Sequence, residues 1–263
     1  MQLMKFQGFL FIYFTQFLKE LTIKLTQISN KKKNIAIIMC GGEGNRMKRY
    51  YKTEKPLLKI KDKKIIEYVI EAIIKSDCFD KIVACVSQNS IRTKKFLQKY
   101  NYRHNIHIQI IEGNGNGYSS DLSFIIKKFF DSSIFIISAD LPLLSQIDIL
   151  EILSKCDFNK PCNTIIFDKK IIDEIGIKPS IVFEYRKRNY CYSGIAIFNI
   201  KEENYDSEMI KERFVIINRI GIAVNVNEKK DLHIARNLVE VEYNKNKLDP
   251  KDLVNPKDLA NFH

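Results

Sequence analysis

Short apolar runs that alternate with helical patterns are the feature that most restricts the fold of this chain. Four runs rich in Ile and Val occupy residues 34–39, 81–87, 106–111 and 134–138. Helical patterns lie between them at residues 63–76, 89–100 and 119–130. A strand that is apolar on both faces requires helices on both sides of its sheet. The alternation therefore predicts an α/β fold of repeated β-α-β units around a parallel sheet.

The second half of the chain predicts a different arrangement of strands. Apolar runs at residues 163–167, 180–185 and 192–200 follow one another without full helices between them. We therefore expect antiparallel strands at the edge of the sheet. Residues 222–243 indicate a final strand that runs into a helix. These patterns predict one domain at residues 34–243, preceded by an apolar extension (1–33) and followed by a polar tail (244–263).

The N-terminal extension is too interrupted to predict a membrane span. Lys5, Lys19 and Glu20 flank its apolar stretch, which falls well short of the roughly 20 apolar residues that a bilayer requires. No small-residue cleavage site follows it. Three interpretations stay open: a helix packed on the domain, a start codon assigned too far upstream, and a helix on a membrane surface. We expect a cytoplasmic protein, and the apolar extension leaves a homodimer open.

The net positive charge favours a phosphorylated small molecule over nucleic acid as the binding partner. The formal net charge is +12 over 263 residues, but no nucleic-acid-binding signature accompanies the lysines. The same positive field attracts a phosphorylated small molecule.

The six cysteines form no C-x-x-C pair and have no histidine partners at zinc spacing. We expect them to be reduced and packed in the interior, and we expect no nucleic-acid partner.

A glycine-rich loop follows the first predicted strand, within the segment IAIIMCGGEGNRMKRYYKTEKPLL at residues 35–58. Glycine lets backbone N–H groups approach a ligand closely because no Cβ intervenes. At the carboxyl end of a parallel strand, such a loop is suited to bind phosphate. It matches neither G-x-x-x-x-G-K-[ST] nor G-x-G-x-x-G, since Met47 stands three residues after Gly44.

The order of the motifs resembles one family of enzymes. GGEGNRM followed by EKPL resembles the signature of nucleotidyltransferases with a Rossmann-like GT-A fold. The later segments GNGYSSDL, SADL, PSIVF, GIAIF and VNVNEKKDL are similar to those of archaeal GTP:adenosylcobinamide-phosphate guanylyltransferases, within the molybdopterin-guanylyltransferase-like superfamily. The resemblance covers about residues 35–238. It departs at Cys40, where alanine is usual, and in a longer basic loop between Arg46 and Lys55.

This resemblance implies a fold and a reaction. The fold is a mostly parallel sheet with helices on both faces and some antiparallel edge strands. The reaction is Mg²⁺-dependent transfer of GMP from GTP to adenosylcobinamide phosphate with release of pyrophosphate, a step in assembling the nucleotide loop of cobalamin. Because the acceptor phosphate is already an anion, this chemistry needs no strong general base. The four histidines, His104, His107, His233 and His263, accordingly lie in no recognisable catalytic context.

The resemblance also implies roles in binding the triphosphate. Gly41, Gly42 and Gly44 would surround the phosphates with backbone N–H groups. Arg46 would hold the β- and γ-phosphates, and Lys55 would neutralise charge at the α-phosphate. The simpler structural alternative is a tight turn at the glycines and a solvated lysine at position 55.

A metal site is expected at the same edge of the sheet. Asp140 follows the apolar run at residues 134–138, so it faces the same cleft as the glycine loop. Its carboxylate is a ligand type that Mg²⁺ prefers. By the resemblance, Asn227 completes the metal site, with Asn225 as its substitute, and Asp231 caps or braces the helix that follows.

Two further segments are implied to recognise the substrates. Gly115, Asn116 and Gly117 would reach the edge of the base, and the small residues Ser193 and Gly194 would leave room for the acceptor. Other functions stay open within the same fold: a molybdenum-cofactor guanylyltransferase or a sugar-1-phosphate nucleotidyltransferase. Outside enzymes of this kind, the alternatives are a nucleotide-binding regulator and a basic RNA- or membrane-binding protein that depends on residues 1–33.

Overall fold

An eight-stranded sheet with helices against both faces forms the centre of the described structure. The computed structural model describes residues 33–41, 45–179, 181–201, 205 and 210–245. The expectations for the extension up to residue 32, for Gly42 and Gly44, and for the tail from residue 246 lie outside the described residues. The α/β fold with a mostly parallel sheet is confirmed.

The strands and helices follow one another in the order that the sequence patterns predict for most of the chain. The strands are β1 (Asn34–Met39), β2 (Lys59–Ile60), β3 (Lys63–Lys64), β4 (Lys81–Val86), β5 (Ile108–Glu112), β6 (Ser133–Ser138), β7 (Cys162–Asp168), β8 (Val182–Tyr185), β9 (Arg188–Phe198) and β10 (Glu212–Ile216). The helices are α1 (Asn45–Lys48), α2 (Ile65–Ser76), α3 (Ile91–His104), α4 (Tyr118–Lys127), α5 (Gln146–Lys155), α6 (Lys170–Ile175), α7 (Ile220–Ala223) and α8 (Lys229–Lys245). A 3-10 turn covers Lys55–Leu57.

The four strongly apolar runs form adjacent parallel strands. Strand β1 pairs with β4 on one side and with β6 on the other, and β5 pairs with β4. Ile38 stands opposite both Ala84 and Ile137. Ile37 and Ile38 point to opposite faces, yet both side chains are fully buried. Burial on both faces is the physical reason for the unbroken apolar sequence of β1.

Helices cover the two faces of the sheet unequally. On one face, buried side chains of α2, α3, α5 and α8 pack together against the sheet. On the other face, the described core is smaller, and α4 contributes Ile125 and Ile126 to it. Helix α2 shows how the pattern produces this packing: Ile66, Val69 and Ile70 recur at helical spacing, and all are buried.

The later strands differ from the expected arrangement. The sheet order is β10-β7-β9-β6-β1-β4-β5, so the antiparallel strand β9 lies inside the sheet, between β6 and β7. Strand β9 pairs with β7 and, through residues 195–198, with β6. Strand β8 pairs with residues 188–191 of β9. The edge on this side is β10, which is parallel to β7 and which the sequence patterns did not predict.

The predicted strand at the start of residues 222–243 is wrong. Helix α7 occupies Ile220–Ala223, and an extended segment then leads to α8. Val224 and Val226 are buried, which explains why the alternating Val-Asn sequence resembles a half-buried strand. Both sides of β6 are already paired with β1 and β9, so this segment cannot join the sheet there. It contacts the segment after β6, where the Val226 N–H donates to the Asp140 carbonyl oxygen at 3.1 Å.

The cysteine side chains lie in the packed interior, as the sequence analysis predicts. All six cysteines are buried and free, as expected for reduced thiols. Burial is the main cause of the raised pKa of each thiol, reaching about 12 for Cys85. No helix among the described residues is both long enough and apolar enough to cross a membrane.

Candidate active site

Two loops meet at the carboxyl ends of β1 and β6. The strands are parallel neighbours, with Met39 opposite Ser138, so the segments that follow them leave the sheet side by side. The Ala139 N–H continues the pairing by donating to the Met39 carbonyl at 3.1 Å. Gly41 therefore begins the glycine loop beside Asp140, whose residue surface is only 4% exposed. This is the shared cleft that the strand order predicts.

The structure brings Lys55, Asp140 and Asn227 into direct contact. The Lys55 ammonium donates to Asp140 Oδ2 and to Asn227 Oδ1, the latter at 3.2 Å. On its other side, Asp140 Oδ1 accepts from the Ser138 hydroxyl at 2.5 Å. These residues come from separate motifs that lie far apart in the chain. We refer to Lys55, Asp140, Asn227 and Ser138 as the lysine cluster.

Burial makes the lysine cluster interdependent. The Asp140 side chain is 6% exposed and that of Lys55 is 22% exposed. A buried carboxylate without a partner is strongly destabilising, so the Lys55 ammonium and the Ser138 hydroxyl offset the cost of burying Asp140. The lysine in turn is held by its contacts with Asp140 and Asn227, and Pro56, the next residue, is buried.

The segment between α7 and α8 is braced by Asp231. Asp231 Oδ2 accepts from the N–H groups of Asn227 and Glu228, at 2.9 and 2.8 Å. This carboxylate caps the turn that leads into α8, the role expected for it. Burial raises the pKa of Asp231, although these two hydrogen bonds act in the opposite direction. Asp231 thus fixes the backbone that carries Asn227.

The donor set at this edge is suited to a hard divalent cation. Asp140 and Asn227 present side-chain oxygens within one cluster, and Lys55 contacts both. The Oδ1 atom of Asn225 is buried and finds no hydrogen-bond partner among the described residues. Within the described residues, no group of three or more His, Cys, Asp and Glu side chains could hold a metal by itself. The set therefore fits Mg²⁺, which keeps water and substrate phosphate in its coordination shell.

Arg46 lies outside the lysine cluster. Its guanidinium is 3.5 Å from Glu228 Oε1, and both side chains are mostly exposed. It lines a cavity of about 670 Å³ together with Arg49, Tyr50, Glu228, Lys229, Lys230 and His233. Among the described residues that line it, four lysine and arginine side chains surround the carboxylate of Glu228. The positive charge is open to solvent next to Asn227, where an anion can enter.

The predicted base loop is exposed and is held by the buried carboxylate of Asp121. Gly115 and Gly117 have positive φ angles of 76° and 96°, and Asn116 is exposed. Asp121 Oδ1 accepts from the Gly115 N–H at 3.0 Å. A Cβ at Gly113 would lie 2.4 Å from the same oxygen, so glycine is required there. Asp121, in the segment GYSSDL, thus holds this loop, a role that the sequence analysis did not assign to it.

Of the two residues expected at the acceptor pocket, only Gly194 faces the site. Residues 193–195 form a bulge opposite Ile165, and Gly194 has a φ of 77°. A Cβ at Gly194 would lie 3.1 Å from the Cβ of Ser138. Ser193 is 1% exposed; its hydroxyl donates to the Ile165 carbonyl at 2.8 Å and accepts from the Ile195 N–H at 3.2 Å. The expectation for Ser193 is corrected: its side chain closes the bulge and cannot face a ligand.

Two other observations complete the description of the cleft. Tyr118 begins α4 and remains half exposed, yet burial and then the charge of Asp140 raise its pKa to about 12. Among the described histidines, the ring of His104 packs on Tyr100 with 4.2 Å between centroids, and His233 lines the basic cavity.

Comparisons with known proteins show which family the chain resembles. Residues 36–176 match the family of MobA-like NTP transferase domains. The chain is 30% identical over 207 residues to the adenosylcobinamide-phosphate guanylyltransferase of Methanocaldococcus jannaschii, a match that covers 78% of this chain and 97% of that protein.

Solved structures are similar in fold. A CMP:2-keto-3-deoxy-manno-octonic acid synthetase complexed with CTP superposes with a TM-score of 0.60 at 16% identity, covering 80% of this chain and all 100% of that one. The 4-diphosphocytidyl-2C-methyl-D-erythritol synthase of Anaerococcus prevotii has a TM-score of 0.54 at 11% identity, covering 80% and 99% of the two chains.

Proposed function

This chain belongs to the MobA-like NTP transferase family, and from that membership we propose that it transfers GMP from GTP to adenosylcobinamide phosphate and releases pyrophosphate. The observation that carries the proposal is the lysine cluster beside the glycine loop, since three separate motifs supply Lys55, Asp140 and Asn227 to it. The choice of guanine and of a corrinoid acceptor is supported by the 30% identity to the M. jannaschii guanylyltransferase.

The bond changes of this reaction are simple. An oxygen of the acceptor phosphate forms a bond to the α-phosphorus of GTP, and the bond from that phosphorus to the α-β bridging oxygen breaks. The electron pair leaves with pyrophosphate. The nucleophile enters as an anion, so no proton has to be removed from it, and positioning and charge neutralisation supply most of the catalysis.

The residues of the cleft divide this work. Lys55 neutralises the charge that grows on the α-phosphate, and Asp140 and Asn227 hold its ammonium in place. Gly41, at the start of the glycine loop, offers its backbone N–H to the phosphates. Arg46 and the basic cavity attract the β- and γ-phosphates and then the leaving pyrophosphate. Gly194 leaves space for the acceptor beside Ser138.

Asp140 and Asn227 are the residues that would hold Mg²⁺, with the unpartnered Asn225 amide oxygen close to the same segment. When bound, the ion supplies further neutralisation of charge on the phosphate oxygens. Lys55 contacts both of these residues and would supply its positive charge alongside that of the ion. Removing Mg²⁺ with a chelator is expected to abolish turnover.

The test is a pyrophosphate-release assay with purified protein, Mg²⁺ and each of the four NTPs. Adenosylcobinamide phosphate and molybdopterin are compared as acceptors. Turnover confined to GTP with the corrinoid supports the proposal. Turnover with GTP only when molybdopterin is the acceptor would support the proposed nucleotide site but contradict the proposed corrinoid acceptor. If no pair of NTP and acceptor releases pyrophosphate, the proposed reaction is wrong.

A further inference from the structure

We propose that Glu54, which touches none of the reacting groups, is the positioning residue that holds Lys55 at the α-phosphate by clamping its loop to the first turn of α3. This inference rests on the proposed function, since it concerns the lysine that the reaction requires. We call the contacts of Glu54 and Arg92 across this junction the α3 clamp.

Glu54 uses its whole carboxylate on the α3 N-terminus. Its Oε1 accepts from the Arg92 N–H at 2.8 Å, and its Oε2 accepts from the N–H and the hydroxyl of Thr93, at 2.7 and 2.5 Å. The first N–H groups of a helix lack intrahelical partners, and they favour a negative charge. Thr93 is fully buried, so the junction is shielded from water on that side.

Helix α3 lacks its own cap, which gives Glu54 this role. Ser90 occupies the N-cap position but makes no side-chain cap bond. Its hydroxyl instead lies 2.9 Å from that of Ser87 and 3.5 Å from the Cys40 carbonyl oxygen. The same turn of α3 therefore contacts both phosphate-binding segments, through Ser90 at the start of the glycine loop and through Glu54 beside Lys55.

The clamp also holds the segment before Glu54. The Arg92 guanidinium donates back to the Lys52 carbonyl oxygen, so the chain is fixed at two points two residues apart. Immediately after Lys55, Pro56 is buried within the 3-10 turn Lys55–Leu57. The backbone of Lys55 thus lies between two anchored residues. From this backbone position its ammonium meets both Asp140 and Asn227.

A positioning role predicts a specific kinetic signature. Lys55 acts on charge that develops in the transition state, so a displaced lysine lowers kcat with little change in the KM for GTP. A misplacement of about 1 Å can cost on the order of 10²-fold in rate. Glu54→Gln retains the shape of the side chain but presents an NH₂ group to helix N–H donors. We expect kcat to fall at least about tenfold, with the KM for GTP changed less than about twofold.

The matched control is Glu67→Gln. Glu67 also caps a helix, since its Oε2 accepts from the Lys64 N–H at 2.7 Å at the start of α2, but it holds no site residue. Thr93→Ser retains the hydroxyl bond to Glu54, whereas Thr93→Val removes it at nearly constant volume. The clamp predicts normal kcat for Glu67→Gln and Thr93→Ser and a reduced kcat for Thr93→Val. Equal kcat losses in Glu54→Gln and Glu67→Gln would mean that only helix stability matters and would overturn the clamp.

A double mutant tests whether Glu54 acts through Lys55. In the Lys55→Ala background, Glu54→Gln is expected to cause no further loss of kcat, because the group it positions is already gone. A full additional loss there would overturn the inference.

A readout independent of turnover separates this inference from the proposed reaction. Lysines of the intact protein are labelled with an amine reagent, and the rate at Lys55 is compared with that at the exposed Lys59 by mass spectrometry. The clamp predicts faster labelling of Lys55 in Glu54→Gln than in wild type, and an unchanged ratio would overturn it. If wild type releases no pyrophosphate with any substrate pair, the proposed reaction fails while the labelling result still decides the clamp.

Discussion

The ammonium of Lys55 and the carboxylate of Asp140 form an ion pair between residues 85 positions apart in the chain. Lys55 belongs to the loop after the first strand, and Asp140 follows the strand that pairs with it. Their contact joins the cation expected to neutralise a phosphate to the carboxylate expected to hold a metal. Phosphate neutralisation by Lys55 and metal binding by Asp140 are therefore coupled through this ion pair. A substitution at either residue is expected to affect both functions.

Lys55→Ala is expected to reduce kcat by at least about 10²-fold, a loss typical of removing a charge that stabilises a transition state. It also leaves Asp140 buried with the Ser138 hydroxyl as its remaining described side-chain donor. Partial exposure of Lys55 limits the loss in unfolding free energy to about 1–3 kcal/mol. Steady-state kinetics and urea denaturation measure the two effects. Lys59→Ala, at an exposed lysine nearby, is the control, and near-normal turnover of Lys55→Ala would contradict the site assignment.

Ser193→Ala and Gly194→Ala are expected to separate stability from acceptor binding. Ser193→Ala removes the hydroxyl that bonds Ile165 and Ile195 inside the bulge, at a cost of about 1–3 kcal/mol in unfolding free energy. It should leave the KM for the acceptor unchanged. Gly194→Ala adds a methyl group 3.1 Å from Ser138 in a left-handed backbone conformation, and we expect a raised acceptor KM. The same KM for both variants would place the acceptor elsewhere.

Asp231 is expected to impose a pH dependence on stability. Burial raises its pKa above the ordinary value of 3.8, so the folded state binds its proton more tightly than the unfolded state does. The stability that this proton contributes is complete below 3.8 and is lost as the pH rises through the raised pKa. Relative to Asp231→Asn, wild type should therefore lose unfolding free energy from about pH 4 upward. Urea titrations at several pH values measure the unfolding free energy of wild type minus that of Asp231→Asn. If this value rose with increasing pH, the predicted sign would be wrong.

Arg49→Ala is expected to raise the KM for GTP several-fold at low salt while leaving kcat unchanged. Arg49 lines the basic cavity with Arg46 and Lys229, so it contributes to the field that attracts the triphosphate. The effect should shrink as ionic strength rises, because exposed charges are screened. Kinetics at low and at physiological salt test this, with the exposed Lys99→Ala on α3 as the control. An unchanged KM at low salt would remove the cavity from triphosphate binding.

Local sequence patterns predicted the parts of the site that depend on strand order. Each parallel strand is buried on both faces and so carries an unbroken apolar run, and the residue after such a run must lie at the carboxyl edge of the sheet. This reasoning placed Gly41 and Asp140 in one cleft. It could not find Glu54 or Asp121, because each carboxylate bonds backbone N–H groups of another segment and leaves no periodic signal.

The amino-acid sequence by itself determined the central parallel strands, the glycine loop and the motifs that carry Lys55, Asp140 and Asn227. Those features follow from burial and backbone conformation, which act over a few residues. Only the tertiary structure decided that β9 inserts between β6 and β7, that residues 224–227 stay outside the sheet, and that Ser193 turns inward while Gly194 faces the cleft. The physical reason is competition for partners: a strand or hydroxyl takes the position left open by elements distant in the chain, and no short stretch of sequence records which positions are already taken.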